Sequence, residues 1–342
     1  MKKILVLLLA FGFLFGCIDF GGGETTPVIT EEENETEVIA VIEHEENITA
    51  GEVEGQEEEE PPVETWQGIE YSEEPDAKLG IYFIDTCNYD NGDHGAAILI
   101  KKGDLDILVD AGSTYSGNRV VDFVKGKNVD DIDVLISTTG DYRRYGGMDD
   151  VLDEFEVEEF WWGGNYFEDE AYKIIVDRAS AEAKNVQIVK RGYKITLNGI
   201  DIEILNPRTS AEFDDVNNDA VVLRIDDRNL SLLLMGNIQT GAQGDLIGTE
   251  PGKIRVDVIE APYYGVGQGT ANIALFIQAS KPKYAIIEGC SDETMEVEGS
   301  TRSPFKRVLE QEQYGVEYFE TYENGTIRII VDESGYSISP SS

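Results

Sequence analysis

Histidine is nearly absent from this chain, since His44 and His94 are the only two in 342 residues. Imidazole is a frequent ligand of catalytic zinc and the most frequent general base in enzymes. A site built from several imidazoles is therefore excluded. The G-x-S-x-G motif that marks many serine nucleophiles is also missing, and no histidine is spaced to activate Ser113 or Ser137.

Basic residues are also scarce: 27 Lys and Arg stand against 68 Asp and Glu, which gives a formal net charge of −41. Nucleic acids and anionic lipid headgroups need a basic protein face. No nucleic-acid partner is therefore expected. Solubility or a saline habitat would explain the acidity itself, and a functional role is the alternative.

The chain has one long apolar run, Ile4 to Gly16, which follows Lys2 and Lys3 and ends at Cys17. The run is short for a membrane span and has the form of an export signal. Its end is similar to a lipobox, in which the signal is removed and the cysteine is lipidated. We expect a signal peptide over residues 1–17 and a lipoprotein anchored through Cys17 to the extracytoplasmic face of the cell membrane. Plain secretion and a retained anchor are the alternatives.

Residues 18–76 contain 21 acidic residues and neither Lys nor Arg. Such a segment has too little apolar surface to offset its chain entropy, and its charges repel one another. We predict a disordered, extended tether over residues 18–76. A folded domain over residues 77–335 and a short tail over 336–342 follow.

The folded region alternates short apolar strand patterns with amphipathic helix patterns such as Ser116–Lys127 and Glu168–Lys184. Groups of strands, then a helix, occur in both halves of the region. The pattern predicts an α/β fold in which two β-sheets pack on each other with helices outside.

One stretch, DDIDVLISTTGDYRRYGG over residues 130–147, has the form expected of a functional strand end. The apolar strand core Val134–Ile136 runs into small hydroxyl residues, a polar loop and a glycine pair that opens a helix. Strand ends are rigid while the loops beyond them vary, so α/β enzymes commonly place their chemistry there.

This stretch resembles the metal-binding motif of the metallo-β-lactamase superfamily, T-H-x-D-x-D-H followed by x-G-G. Thr138, Asp141 and the pair Gly146–Gly147 match it. LVDAG at 108–112, NDAVVLRI at 218–225, SLLLMGN at 231–237 and DVIEAPYYG at 257–265 extend the likeness, which is greatest to the hydrolase domain of ComEC-type competence proteins. The resemblance implies an αββα sandwich of two mixed β-sheets flanked by helices.

The metal ligands of that family are replaced in this sequence. Where the family motif has His, Asp and His, this chain has Thr139, Arg143 and Arg144. Asn237 stands in place of the aspartate that bridges the two metals, and Tyr263 and Tyr264 stand in place of a pair of histidines. Together with Asp110 these residues form a degenerate site. No cofactor is expected, the alternative being a divalent metal such as zinc or manganese in a nonstandard site.

The two arginines suggest a specific replacement, because a guanidinium stays protonated and repels divalent cations. Our hypothesis is that Arg143 or Arg144 pairs with Asp141 or Asp110 and keeps the site closed. The alternative is that the arginines hold an anion such as phosphate or a carboxylate. A calcium, magnesium or manganese site of aspartates is a further alternative that the arginines oppose; its members would be Asp93, Asp110, Asp141 and Asp219.

Cys87 and Cys290 each follow a predicted strand, and in the layout implied by the resemblance these strand ends share one edge of the sheets. Because exported proteins permit oxidation, we predict a Cys87–Cys290 disulfide. A metal site of the two cysteines with His94 is the alternative. His94 otherwise looks like a surface or turn residue, since Gly92 and Gly95 flank it.

The aromatic residues Phe160–Trp162, with Tyr166 and Phe167, either pack in the core or border a cleft. Taken together, the sequence favours a surface-tethered pseudoenzyme that binds a protein partner or an anionic small molecule. The alternatives are an extracellular metal-dependent hydrolase of the phosphodiesterase or esterase type and a structural envelope component.

Overall fold

The computed structural model describes residues 69–87, 93–167, 169–209, 213, 215–266, 270–290 and 303–341. The predicted signal peptide, the lipobox Cys17, His44 and the tether up to residue 68 lie outside the described residues. Among the residues described, no helix has the length and apolar character needed to cross a membrane.

Within these ranges, the first sheet has eight strands in the order β15-β14-β1-β2-β3-β4-β5-β6. Neighbours from β3 to β6 run parallel and the other pairs run antiparallel, so the sheet is mixed. The strands are β1 Leu79–Phe83, β2 Ile98–Lys102, β3 Leu105–Val109, β4 Ile132–Ser137, β5 Val157–Trp162, β6 Asn185–Ile188, β14 Ile327–Asp332 and β15 Gly335–Pro340.

The second sheet has seven strands within the same ranges, in the order β13-β12-β11-β10-β9-β8-β7. Strands β10 to β13 are parallel, and β7 to β10 pair antiparallel. The strands are β7 Lys194–Leu197, β8 Ile200–Asn206, β9 Val222–Asp227, β10 Leu230–Leu234, β11 Val258–Glu260, β12 Tyr284–Ile287 and β13 Glu317–Glu320.

The helices cover the outer faces of both sheets. They are α1 Gly117–Gly126, α2 Tyr142–Tyr145, α3 Met148–Glu154, α4 Glu170–Glu182, α5 Thr240–Thr249, α6 Thr270–Ser280, α7 Pro304–Leu309 and α8 Thr321–Asn324. The apolar faces of α1, α3 and α4 pack on the first sheet, and those of α5, α6 and α7 pack on the second.

The main core lies between the two sheets and is made of Ile, Leu, Val and Phe side chains from facing strands. Strands β3, β4 and β5 are buried at every residue because helices cover one face and the second sheet covers the other. Layers of helix, sheet, sheet and helix result. The predicted fold class, an αββα sandwich of two mixed β-sheets flanked by helices, is confirmed.

The structure corrects both predicted ends of the domain. Gly335–Pro340 is not a tail, because it forms β15 and pairs along its length with β14. At the other end, the Tyr71 ring packs against the core, and its hydroxyl accepts a hydrogen bond from the Asn198 amide at 2.9 Å. Residues assigned to the tether therefore belong to the folded unit from Ile69 onward.

Buried acids lie near the amino ends of two central parallel strands. The Asp133 carboxylate accepts a hydrogen bond from the Asp106 amide at 2.6 Å, and the side chain of Asp106 pairs with Lys101 at 2.8 Å. Burial is the main reason that the pKa of each carboxyl rises to about 7. The nearby carboxylates of Asp131 and Glu158 raise the pKa of Asp133 further.

These shifts predict a domain that is more stable in mild acid. An unfolded aspartate titrates at about 3.9, so between pH 4 and 7 the folded state holds more protons than the unfolded state. The free energy of unfolding should therefore fall as the pH rises from 5 to 8, measured by urea denaturation. Asp133→Asn should flatten this dependence while keeping an oxygen to accept the Asp106 amide. A slope equal to that of the unmodified protein would contradict the assignment.

Candidate functional site

The candidate site lies where the carboxyl ends of parallel strands from both sheets meet. Asp110 follows β3, Thr138 and Thr139 follow β4, Asn237 comes shortly after β10, Glu260 ends β11, and Glu288 follows β12. Parallel strands bring their carboxyl ends to one edge, so residues far apart in sequence come together there.

The loop after β4 is held close to the end of β3. The Asp141 carboxylate caps α2 by accepting a hydrogen bond from the Arg143 amide at 3.0 Å. At Gly147 a β-carbon would lie 2.1 Å from the carbonyl oxygen of Ala111, so only glycine permits this approach. The glycine pair therefore fixes where Arg143 and Arg144 enter the site.

Arg144 is fully buried at the centre of the site, with 1 % of its surface exposed. Its Nη1 donates to Asp110 Oδ2 at 2.9 Å, and its Nη2 donates to Glu260 Oε1 at 2.8 Å. Nη2 also donates to the Gly236 carbonyl at 3.1 Å, and Nε donates to Asn237 Oδ1 at 2.7 Å. A planar guanidinium can satisfy all of these acceptors at once, whereas an ammonium could not.

The electrostatics keep Arg144 charged. Burial works to lower the pKa of its guanidinium, but Glu260, Tyr264 and Asp110 outweigh burial and raise that pKa well above its usual value. Burial raises the pKa of Asp110, while Arg144 and the hydrogen bonds from Thr138 oppose the rise. Thr138 donates from its amide at 2.9 Å and from its hydroxyl at 2.7 Å.

Glu288 lies beside this network and is 2 % exposed. Burial first, and then the neighbouring Glu260 carboxylate, raise the pKa of Glu288 well above its usual value. The Arg144 guanidinium is paired with Asp110 and Glu260, as a buried cation requires.

Asn237 connects Arg144 to Asp141. Its Oδ1 accepts from Arg144, and its Nδ2 donates to Asp141 Oδ2 at 2.9 Å. An ionised aspartate at position 237 could accept from Arg144 but could not donate to Asp141. The amide is therefore the group that satisfies both neighbours.

Tyr263 and Tyr264 follow β11 in the left-handed region of backbone space, with φ of 49° and 57°. The Tyr263 amide donates to the Gly236 carbonyl at 2.9 Å. The buried Tyr264 ring lies against Arg144, with its centre 5.1 Å from the guanidinium carbon, and its edge-to-face partner is the ring of His94 at 5.0 Å. His94 is 5 % exposed, so the prediction that it is a surface or turn residue is wrong.

Arg143 has a different environment from its neighbour Arg144. Its guanidinium lies over the Tyr142 ring, 4.7 Å from the ring centre, and its buried Nε has no hydrogen-bond partner among the described residues. It lines an open cavity of about 240 Å³ together with Thr139, Asp141, Tyr142, Phe167, Asp169 and Tyr263. The rest of the aromatic cluster, Phe160, Trp161 and Trp162, is buried in the core.

Cys87 and Cys290 form a disulfide with Cα atoms 4.8 Å apart. The bond joins the segment after β1 to the segment after β12, beside the site. Because each sulfur is bonded to the other, neither is a thiolate ligand, and the alternative metal site with His94 is not formed.

The residues present do not fit the metals that the family resemblance implies. Asp110 and Glu260 are already paired with the Arg144 guanidinium, which occupies the space between them. Asp219, from the all-oxygen alternative, accepts from the Phe213 amide at 3.2 Å. Across the described part of the chain, no group of three or more His, Cys, Asp or Glu side chains is arranged to hold a metal ion.

Glu260 and Glu288 lie in the site although no sequence motif identified them. Each follows an apolar run at the end of a parallel strand, in VIE over 258–260 and in IIE over 286–288. A carboxylate directly after such an apolar run is the sequence pattern that could have indicated these two residues as site candidates. The pairing of Glu260 with Arg144 could not be predicted from the sequence, because 116 residues separate the two.

No protein-family model matches the chain, and no curated protein matches it. Solved structures with a similar fold include the metallo-beta-lactamase fold protein YhfI from Bacillus subtilis, at 10 % identity and a TM-score of 0.48 over 73 % of this chain and 99 % of that one. A diphosphatase from the PhnP family has 10 % identity and a TM-score of 0.44 over 74 % and 98 % of the two chains. CmlA, a diiron beta-hydroxylase from Streptomyces venezuelae, has 13 % identity and a TM-score of 0.48 over 72 % and 53 %.

The two arginines should differ sharply in their effect on stability. Arg144→Ala leaves Asp110 and Glu260 buried without a counter-charge and should lower the free energy of unfolding by about 3–5 kcal/mol. Arg143→Ala is the matched control and should change it by less than about 1 kcal/mol, because no buried pair is broken. Urea denaturation measures both variants. Equal losses would show that Arg144 does not hold the network together.

The disulfide should contribute strongly to stability, because it closes a loop of 203 residues. We expect C87S/C290S to lower the free energy of unfolding by roughly 3–5 kcal/mol. Ellman titration of the denatured protein should gain two thiols on reduction. No gain in thiols would mean that the bond is not formed in the isolated protein.

Proposed function

We propose that this chain belongs to the metallo-β-lactamase superfamily, near the ComEC-type hydrolase domains, and that it is a pseudoenzyme that binds rather than hydrolyses. The ordered series of motifs from LVDAG to DVIEAPYYG supports this relationship. The αββα architecture, with the degenerate motif at the carboxyl ends of the strands, is consistent with it.

The observation that carries the loss of catalysis is the position of Arg144. Its guanidinium lies between Asp110 and Glu260, at 2.9 Å and 2.8 Å. A divalent cation at this place would meet a fixed positive charge and would find both carboxylates already paired. Hydrolases of this kind depend on a metal to generate the nucleophile and polarise the substrate. Arg144 therefore stabilises the scaffold in place of a metal.

We further propose that the domain is displayed on the extracytoplasmic face of the cell membrane. The lipobox-like end at Cys17 supplies the anchor, and the acidic segment that follows supplies the spacer. A disulfide at Cys87–Cys290 fits an exported protein, since thiols are kept reduced in most cytosolic proteins.

Metal analysis and a hydrolysis assay test the proposal together. The purified protein should carry no stoichiometric zinc, manganese or iron. It should also show no turnover of bis-p-nitrophenyl phosphate when zinc or manganese is added. If any hydrolysis is detected, the Asp141→Ala variant shows whether it depends on this site. Bound stoichiometric metal, with turnover that is lost in Asp141→Ala, would favour the metal-dependent hydrolase instead.

A further inference from the structure

We propose that the cavity beside Arg143 binds a small aromatic monocarboxylate, with the carboxylate at the guanidinium and the ring among aromatic side chains. This inference rests on the proposed binding function and names its ligand class. The cavity opens to solvent past Tyr142 and Val216, which are 40 % and 42 % exposed. Its volume of about 240 Å³ has room for roughly eight water-sized groups.

Arg143 is available to an anion. Other arginines of this acidic chain pair with aspartates, among them Arg178, Arg191, Arg224 and Arg228. Arg143 makes no ion pair with any carboxylate in the described ranges, and its buried Nε has no hydrogen-bond acceptor there. Its stacking on Tyr142 holds the plane of the guanidinium. Because Arg143 lines the cavity and has no carboxylate partner in the described ranges, its terminal N–H groups can donate to a ligand carboxylate.

The walls of the cavity favour a planar apolar body. Three aromatic residues line it: Tyr142, Phe167 and Tyr263. Phe167 can approach because Gly140 has no side chain: a β-carbon at Gly140 would lie 2.9 Å from the Phe167 side chain. Such walls favour the binding of aromatic ligands, because ring-to-ring contacts add to the binding free energy.

Two aspartates in the same cavity set the charge of the ligand. Asp141 accepts from the Arg143 amide and from Asn237. Asp169 caps α4 by accepting from the Ala171 and Tyr172 amides, at 2.8 Å and 3.1 Å. Their hydrogen-bonding capacity is therefore directed to the protein, but their charges remain. A monocarboxylate meets less repulsion here than a dianionic phosphate would.

Isothermal titration of the full chain in mild detergent tests the ligand class with four probes. Benzoate should bind with a dissociation constant of about 1 mM or below, whereas acetate and inorganic phosphate should bind at least tenfold more weakly. Benzylamine should not compete with benzoate. Tighter binding of phosphate or benzylamine than of benzoate would overturn the assignment.

Variants locate the binding. Arg143→Gln should weaken the binding of benzoate at least tenfold, since a charge-assisted hydrogen bond is lost. The affinity of Arg143→Lys should lie between those of the unmodified protein and Arg143→Gln. Arg255→Gln removes the same charge from an exposed position away from the cavity and should leave benzoate affinity unchanged. Equal weakening by Arg143→Gln and Arg255→Gln would mean non-specific attraction and would refute the site.

The outcomes separate this inference from the proposed function. If no probe binds, and the protein contains no metal and shows no turnover, the proposed ligand class is wrong while the non-catalytic proposal stands. Stoichiometric metal with turnover would overturn the proposed function, and with it this inference.

Discussion

The buried pairing of Arg144 with Asp110 and Glu260 is the interaction on which the site depends. Three charges from the loop after β4, the end of β3 and the end of β11 meet where water is excluded, so each is tolerable only because the others are present. Asn237 extends the network to Asp141, and Gly236 supplies a carbonyl. One side chain thus ties the two sheets together at the edge where this kind of fold places its chemistry. The same pairing leaves no room for a cation between the two carboxylates, so the stability of the site and the proposed loss of metal chemistry have a single cause.

Two adjacent arginines serve different ends because of where they lie on α2. Successive residues of a helix point about 100° apart, so one side chain can enter the protein while the next faces a cavity. Arg144 forms ion pairs with the buried carboxylates of Asp110 and Glu260. Arg143 stacks on Tyr142 beside an open cavity and keeps an unsatisfied N–H. The first hypothesis, closure of the site, describes Arg144, and its alternative, an anion held by guanidinium, is what we propose for Arg143.

Most of the fold could be predicted from the sequence, because strands such as β4 and β7 are short apolar or alternating runs with clear turn residues at their ends. Helix α5 could not, since Gly241, Gly244 and Gly248 disfavour an isolated helix, and tertiary contacts such as the packing of Ala242 and Leu246 on the second sheet stabilise it. The structure places residues of the predicted degenerate site, among them Asp110, Arg144 and Asn237, next to one another at the carboxyl ends of the strands. The pairing of Arg144 with Glu260, the position of Glu288 and the different environments of the two arginines depend on tertiary contacts that no local pattern records.

Anomalous diffraction from crystals soaked in manganese or zinc tests the central claim most directly. The account predicts continuous density for the Arg144 guanidinium between Asp110 and Glu260, with no anomalous peak within coordination distance of either carboxylate. An ion seated between those carboxylates, with Arg144 displaced from them, would contradict it.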